Sequence, residues 1–315
     1  MTDCNQTNSS RNRRPHTIRR GEWAEVRSLD EIQATLDAEG KLDSLPFMPE
    51  MVKYCGRIFQ VSRRAERVFL DRYLYVAKLD DTIILDGLRC DGQAHGGCQM
   101  RCELLWKEAW LKPADSPAEI ETAADARQLS SLNLLTRKGE RFICQATELV
   151  HASSRLPWWD PRQYVREVML GETTIGKLVV ALAERAKNKF MRMFKRRNGP
   201  AENSLTSPTP TECLNLQQGE LVEVKTLQEI QASLDANGKN RGLGFAPDQA
   251  EYCGKRFRVA GRVERIILEW SGDLRAISNT VELEEVTCRG RMCRSCPRNC
   301  YHLWREIWLR RVPGP

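Results

Sequence analysis

The feature that most constrains this chain is a set of cysteines that occurs twice at one spacing. Cys90, Cys98 and Cys102 return 198 residues later as Cys288, Cys296 and Cys300, without a gap. Between them His95 falls on Cys293, and these two residue types share little except the ability to bind a soft or borderline metal. Cys55, in Tyr-Cys-Gly, falls on Cys253 in the same tripeptide, each 35 residues ahead of the first cysteine of its cluster. Five candidates therefore compete for four places in each copy. With Cys90, His95, Cys98 and Cys102 as ligands, the first site has three cysteines and a histidine; the second, from Cys288, Cys293, Cys296 and Cys300, has four cysteines. With Cys55 and Cys253 in place of His95 and Cys293, both sites have four cysteines, which suits zinc or an iron–sulfur cluster. Both assignments stay open. Zn2+ is the expected ion because a histidine replaces a cysteine between copies, and an iron–sulfur cluster is the alternative.

Two other fates for these cysteines are less favoured. Free cysteine is a small hydrophobe that is often buried, but that leaves the repeated spacing unexplained. Disulfides require an oxidising compartment, and the polar start Met1-Thr-Asp-Cys-Asn-Gln-Thr-Asn-Ser-Ser-Arg11 has no apolar stretch of the kind that marks export. A cytoplasmic location is expected.

At 315 residues the chain is expected to hold two or three small domains rather than one large core. No apolar run approaches the roughly 18 residues of a membrane span, so no transmembrane segment is expected. The net charge of +7 is concentrated in the lead, in 185–197 and in the second cysteine loop, at Arg289, Arg291, Arg294 and Arg298. Residues 1–20 form a basic lead too polar to order itself. The first cysteine repeat spans 21–113, a linker 114–139, a middle segment 140–197, a Ser/Thr/Pro linker 198–217 and the second repeat 218–315.

Within each repeat the local signals agree. Ser28 with Glu31, and Thr226 with Glu229, have capping-box spacing ahead of the same Glu-Ile-Gln-Ala, so a short helix follows in both copies. Ile58 to Val61, Arg67 to Val76 and Thr82 to Leu88 read as strands, as do their counterparts. The proline-flanked Leu45 to Met51 reads as a loop that plugs the core. Trp106-Lys-Glu-Ala-Trp-Leu111 and Trp304-Arg-Glu-Ile-Trp-Leu309 close the repeats as helix or strand, with Glu108 and Glu306 expected on the exposed side. The fold class expected is α+β: two small, mainly β, SH3-like barrel modules in tandem, each with a Cys-rich knuckle, joined by a partly helical middle segment.

In that middle segment Phe142 to Val150 reads as a strand, and Asp160 and Pro161 open a helix. Ile175, Leu178, Val179, Leu182, Ala186, Phe190, Met193 and Phe194 then form an apolar stripe opposite Lys177, Arg185, Lys187, Lys189, Arg192 and Lys195. This helix is expected to pack on its own domain or a partner, with peripheral membrane contact through 175–197 or phosphate contact as alternatives. Cys144 and His151 each stand alone in their neighbourhoods, and a core cysteine and a surface histidine are expected. There is no phosphate-binding glycine loop, nucleophile elbow or His-Glu-x-x-His, and four histidines leave little for general-base chemistry.

The strings Leu45-Pro-Phe-Met-Pro-Glu-Met51, Tyr54-Cys-Gly56, Cys90-Asp-Gly-x-x-His-Gly-Gly-Cys-x-x-x-Cys102 and Trp106-Lys-Glu-Ala-Trp-Leu111 resemble an uncharacterised bacterial protein family with no assigned activity. The resemblance continues through Cys144-Gln-Ala-Thr-Glu-Leu149 and Trp158-Trp-Asp-Pro-Arg-Gln-Tyr164, and so covers about 21–197. Residues 219–312 look like a second, partial unit without the middle segment. That unit departs from the pattern at Gly244, Ala246, Asp248 and Gln249, and carries Arg289 where the first has Asp91. The expected function is a metal-stabilised tandem-repeat binding or scaffold protein, not an enzyme, with a protein partner. Nucleic-acid binding through the Arg-rich second loop and the basic helix is one alternative, and an iron–sulfur or redox protein is another.

Overall fold

A computed structural model describes residues 17–70, 75–116, 134–156, 209–288, 290 and 296–312. The lead up to residue 16, the expected helices within 157–200, residues 201–208 of the second linker, Arg289, Arg291, Cys293 and Arg294 lie outside the described residues. The described chain is mostly β with a few short helices, and two similar curled five-stranded sheets follow one another.

The first sheet has the order Glu103–Lys107, Thr82–Arg89, Ile58–Arg64, Trp23–Val26, Leu111–Ala114, antiparallel throughout. The second repeats it as Tyr301–Arg305, Thr280–Thr287, Arg256–Arg262, Leu221–Val224, Leu309–Arg311. Strands at opposite edges are joined only by the 3-10 turns Glu108–Trp110 and Glu306–Trp308. Such a link reaches at most about 14 Å, whereas a flat sheet of five strands is about 19 Å wide. The edges must therefore curl towards each other. Register slips at Val61/Arg63 and again at Val259/Gly261 supply part of the bend.

Both capping boxes form, starting the helices Leu29–Gln33 and Leu227–Gln231. The proline-flanked loop does plug the core. Phe47 stands edge-on to Trp106 and Trp110, at 6.3 and 5.3 Å between centroids, and Phe245 does the same to Trp304 and Trp308, at 6.1 and 5.4 Å. All four tryptophans are fully buried.

Three expectations differ from what is found. Arg67 to Val76 is not one strand: Arg67–Leu70 and Tyr75–Lys78 pair antiparallel, with Leu70 opposite Tyr75. Glu306 is not on an exposed side: it is fully buried and accepts bonds from the backbone N–H groups of Leu214, Asn215 and Leu216 and from Arg262. Glu108 repeats the arrangement with the N–H of Ile18 and with Arg64. Each carboxylate anchors the segment that enters its own module. Likewise, Phe142 to Val150 is not one strand. Arg141–Phe142 is followed by the helix Gln145–Glu148. Docking decides this: the Gln145 amide accepts from the N–H of Leu105 at 2.8 Å and donates to its carbonyl at 2.7 Å, pairing the edge strand as another strand would.

The second module has no middle segment, and the departures of its sequence replace what that segment supplies. Gln249, at the position of Met51, donates to the Leu303 carbonyl, the counterpart of Leu105. Asp248, at the position of Glu50, meets His302 at 3.4 Å.

The modules pack reciprocally. The Ile267 N–H donates to Cys98 Sγ at 3.4 Å, and the Phe69 N–H, 198 residues earlier, donates to Cys296 Sγ at 3.3 Å. Arg89 and Arg101 both stack on Tyr301, Arg101 also binds the buried Glu282, and the Gln99 N–H donates to the Arg265 carbonyl. The Cys98–Ile267 and Cys296–Phe69 contacts join equivalent positions of the two repeats in reverse, as across the two-fold axis of a dimer. Among the described residues, no helix is long and apolar enough to cross a membrane.

Candidate metal centre

The first cysteine loop is shaped by its backbone. Gly92 has φ +69, and a Cβ there would lie 2.0 Å from the carbonyl oxygen of Cys98, so a side chain cannot be accommodated without opening the loop. The Cys90 N–H donates to the Cys102 carbonyl at 2.8 Å, which closes the loop at its base. Cys90, Cys98 and Cys102 thereby line one cavity of about 50 Å³. A fourth cysteine lines the same cavity. It is Cys144, brought in by the docking of Gln145 onto Leu105.

None of the described cysteines is in a disulfide. Burial pushes the Cys144 thiol up to about 11 and also holds Cys90, Cys98 and Cys102 above the ordinary range. Neighbouring charge adds to this: Glu50, Cys144 and Cys98 oppose ionisation of Cys90, and Cys98 opposes that of Cys144. These thiols hold their protons unless a cation replaces them.

On the cavity wall Cys90 and His95, with Glu50 behind them, bring one ligand atom each within 4.8 Å of one another. Among the described residues no other trio of His, Cys, Asp or Glu is gathered so closely, so no three of the four cavity sulfurs lie within that distance. His95 is buried with both ring nitrogens engaged. Nε2–H donates to the Ile143 carbonyl at 2.9 Å, and a proton lies between Nδ1 and Glu50 Oε1 at 2.7 Å. The other Glu50 oxygen is buried and has no hydrogen-bond partner.

The remaining sequence candidates fall in two places. Cys55 lies in the first core, its thiol pushed up to about 12 by burial, and does not line the cavity; Cys253 packs against the second core. Cys288, Cys296 and Cys300 gather on the other side of the module interface. Burial raises Cys300 to about 12, and Cys296 and Cys288 oppose its ionisation. Cys300 in turn opposes ionisation of Cys102, so the two groups of thiols adjoin. Of the four arginines in the second loop, Arg298 is buried and paired with Glu269.

Cys144 packs against the first core, as expected of a core cysteine, and its place on the cavity wall is what the sequence did not indicate. The only available signal was that Cys144-Gln-Ala-Thr-Glu-Leu149 belongs to the portion absent from the second unit. His151 is on the surface, as expected. The chain matches no known family model, no curated protein and no solved structure.

Proposed function

We propose that this protein is a tandem-module scaffold built around a thiolate-ligated inorganic centre, and that Cys90, Cys98, Cys102 and Cys144 of the first module hold it. The observation that carries this reading is that four cysteines from two separate segments line one cavity. An iron–sulfur cluster suits them better than a single ion. Tetrahedral zinc at about 2.3 Å from each sulfur draws the sulfurs to roughly 3.8 Å of one another. A cubane cluster gives each cysteine its own iron and so spreads them further apart. The cavity of about 50 Å³ also has room for several atoms rather than one. The 3-10 turn ahead of each last strand favours an SH3-like barrel for both modules.

Zinc is the second reading, and the trio Glu50, Cys90 and His95 favours it. It requires His95 to give up one of its two hydrogen bonds. Anaerobic purification followed by iron, acid-labile sulfide and zinc analysis separates the two. The expected result is iron and sulfide in about equal amounts, with visible absorption lost in Cys144→Ala. Zinc without sulfide establishes the second reading. A chain with neither metal, equally stable before and after chelation, overturns both.

A further inference from the structure

The cavity in the first module is not closed by the first module alone. Ile267, Glu269 and Arg298, all from the second module, form part of its wall, and the Ile267 N–H reaches Cys98 Sγ. Four thiolates carry more negative charge than the metal core they bind, so the loaded centre is an anion in a largely buried site. Four charged side chains line the cavity. Arg101 is held by Glu282, and Glu103 is held by Arg63 and Arg89. The other two, Arg298 and Glu269, are paired with each other, with Arg298 the more deeply buried. Of the two paired arginines on the cavity wall Arg298 is the more deeply buried, and its charge favours ionisation of Cys102 as it does of Cys296 and Cys300. Its counterpart in the first repeat is Met100, so nothing in the repeat itself demands a charge there.

The Ile267 contact changes on loading in the same direction. A neutral thiol is a weak acceptor, whereas a thiolate takes a charge-assisted bond. Donors to the sulfurs of such a centre hold it and tune it. We infer that the first centre is a shared one: Arg298 supplies its buried positive charge and the Ile267 N–H its sulfur donor, so that loading the centre and seating the second module are coupled. Thermodynamic linkage requires the coupling to run both ways.

This inference rests on the thiolate centre proposed above, and one experiment separates the two. The full chain, purified with its centre, is challenged with an iron chelator while iron content and visible absorption are followed. Arg298→Met is expected to lose the centre at least tenfold faster than the unaltered chain. Glu269→Gln, which leaves the arginine unopposed, is expected to lose it more slowly, and Arg298→Lys to fall near the unaltered chain. Opposite effects of the two partners are not produced by a merely structural ion pair, whose loss from either side loosens the site. Hydrogen exchange at the Ile267 amide in loaded and stripped unaltered chain gives a second measurement, with at least tenfold slowing expected on loading. If Arg298→Met does not fold, Arg298→Gln takes its place. Retention unchanged in Arg298→Met, or both partners shifting it the same way, overturns the role of Arg298, and an Ile267 amide indifferent to loading overturns the coupling. An unaltered chain that carries no metal removes the proposed centre itself, and this inference with it.

Discussion

Single residues do unequal work here, and burial decides which. Glu306 is fully buried and satisfies three backbone N–H groups and Arg262 at once. Glu306→Ala leaves the three backbone N–H groups without their acceptor and takes one of several from Arg262, and should cost about 3 kcal/mol or more. Urea unfolding followed by Trp fluorescence measures this, because Trp304 and Trp308 flank the site in sequence and are buried in the same module. Gly92→Ala places a Cβ against the Cys98 carbonyl and forces a side chain into positive φ. A loss of about 2–4 kcal/mol is expected, together with faster reaction of Cys90 and Cys98 with a thiol reagent. A glycine two residues after Cys90, inside the cysteine spacing, is a residue type that a tight turn favours. The carboxylate was not legible in the sequence: a Glu between tryptophans reads as exposed until the chain segment that wraps over it is in place.

At the scale of elements, the short helix Gln145–Glu148 and the single residue Gln249 do the same task for equivalent edge strands. Gln145→Leu keeps the volume but strands the N–H and carbonyl of Leu105, and should destabilise the first module by about 1–3 kcal/mol while loosening Cys144. Gln249→Met, which restores the residue of the first copy, should cost less: the bond to Leu303 is lost, but a Met sulfur can take over the Ala246 N–H now held by Gln249, as Met51 takes that of Met48. Differential scanning calorimetry of the two variants orders them. The capping boxes, most of the sheet strands and the core-plugging loop were legible because each rests on local spacing or repeats in both copies. The docked helix was not, because the partner of Gln145 lies 40 positions away at Leu105.

For the molecule as a whole, pH reports on the thiols. Burial holds Cys144 near 11 and Cys55 near 12, whereas an unfolded cysteine loses its proton near about 8.5. Between those values the unfolded chain binds fewer protons than the folded one, so folding stability falls as pH rises. Metal-stripped, reduced protein should therefore hold a constant stability up to about pH 8 and lose at least about 1 kcal/mol by pH 10, as urea midpoints at each pH would show. The loaded protein should behave oppositely at the acid end. There protons compete for the ligands, and the centre should be released on acidification, as metal analysis after desalting would detect.

The sequence by itself determined the tandem repeat, the start of each module's helix, the aromatic plug of each core and three of the four sulfurs at the first cavity, because all of these follow from local spacing or from a register that recurs after 198 residues. Only the tertiary structure decided the fourth sulfur, the burial of Glu306 and the closing of the first module's cavity by the second. Those depend on which surfaces meet once apolar area is buried, and a contact between segments far apart in the chain leaves no periodicity along it.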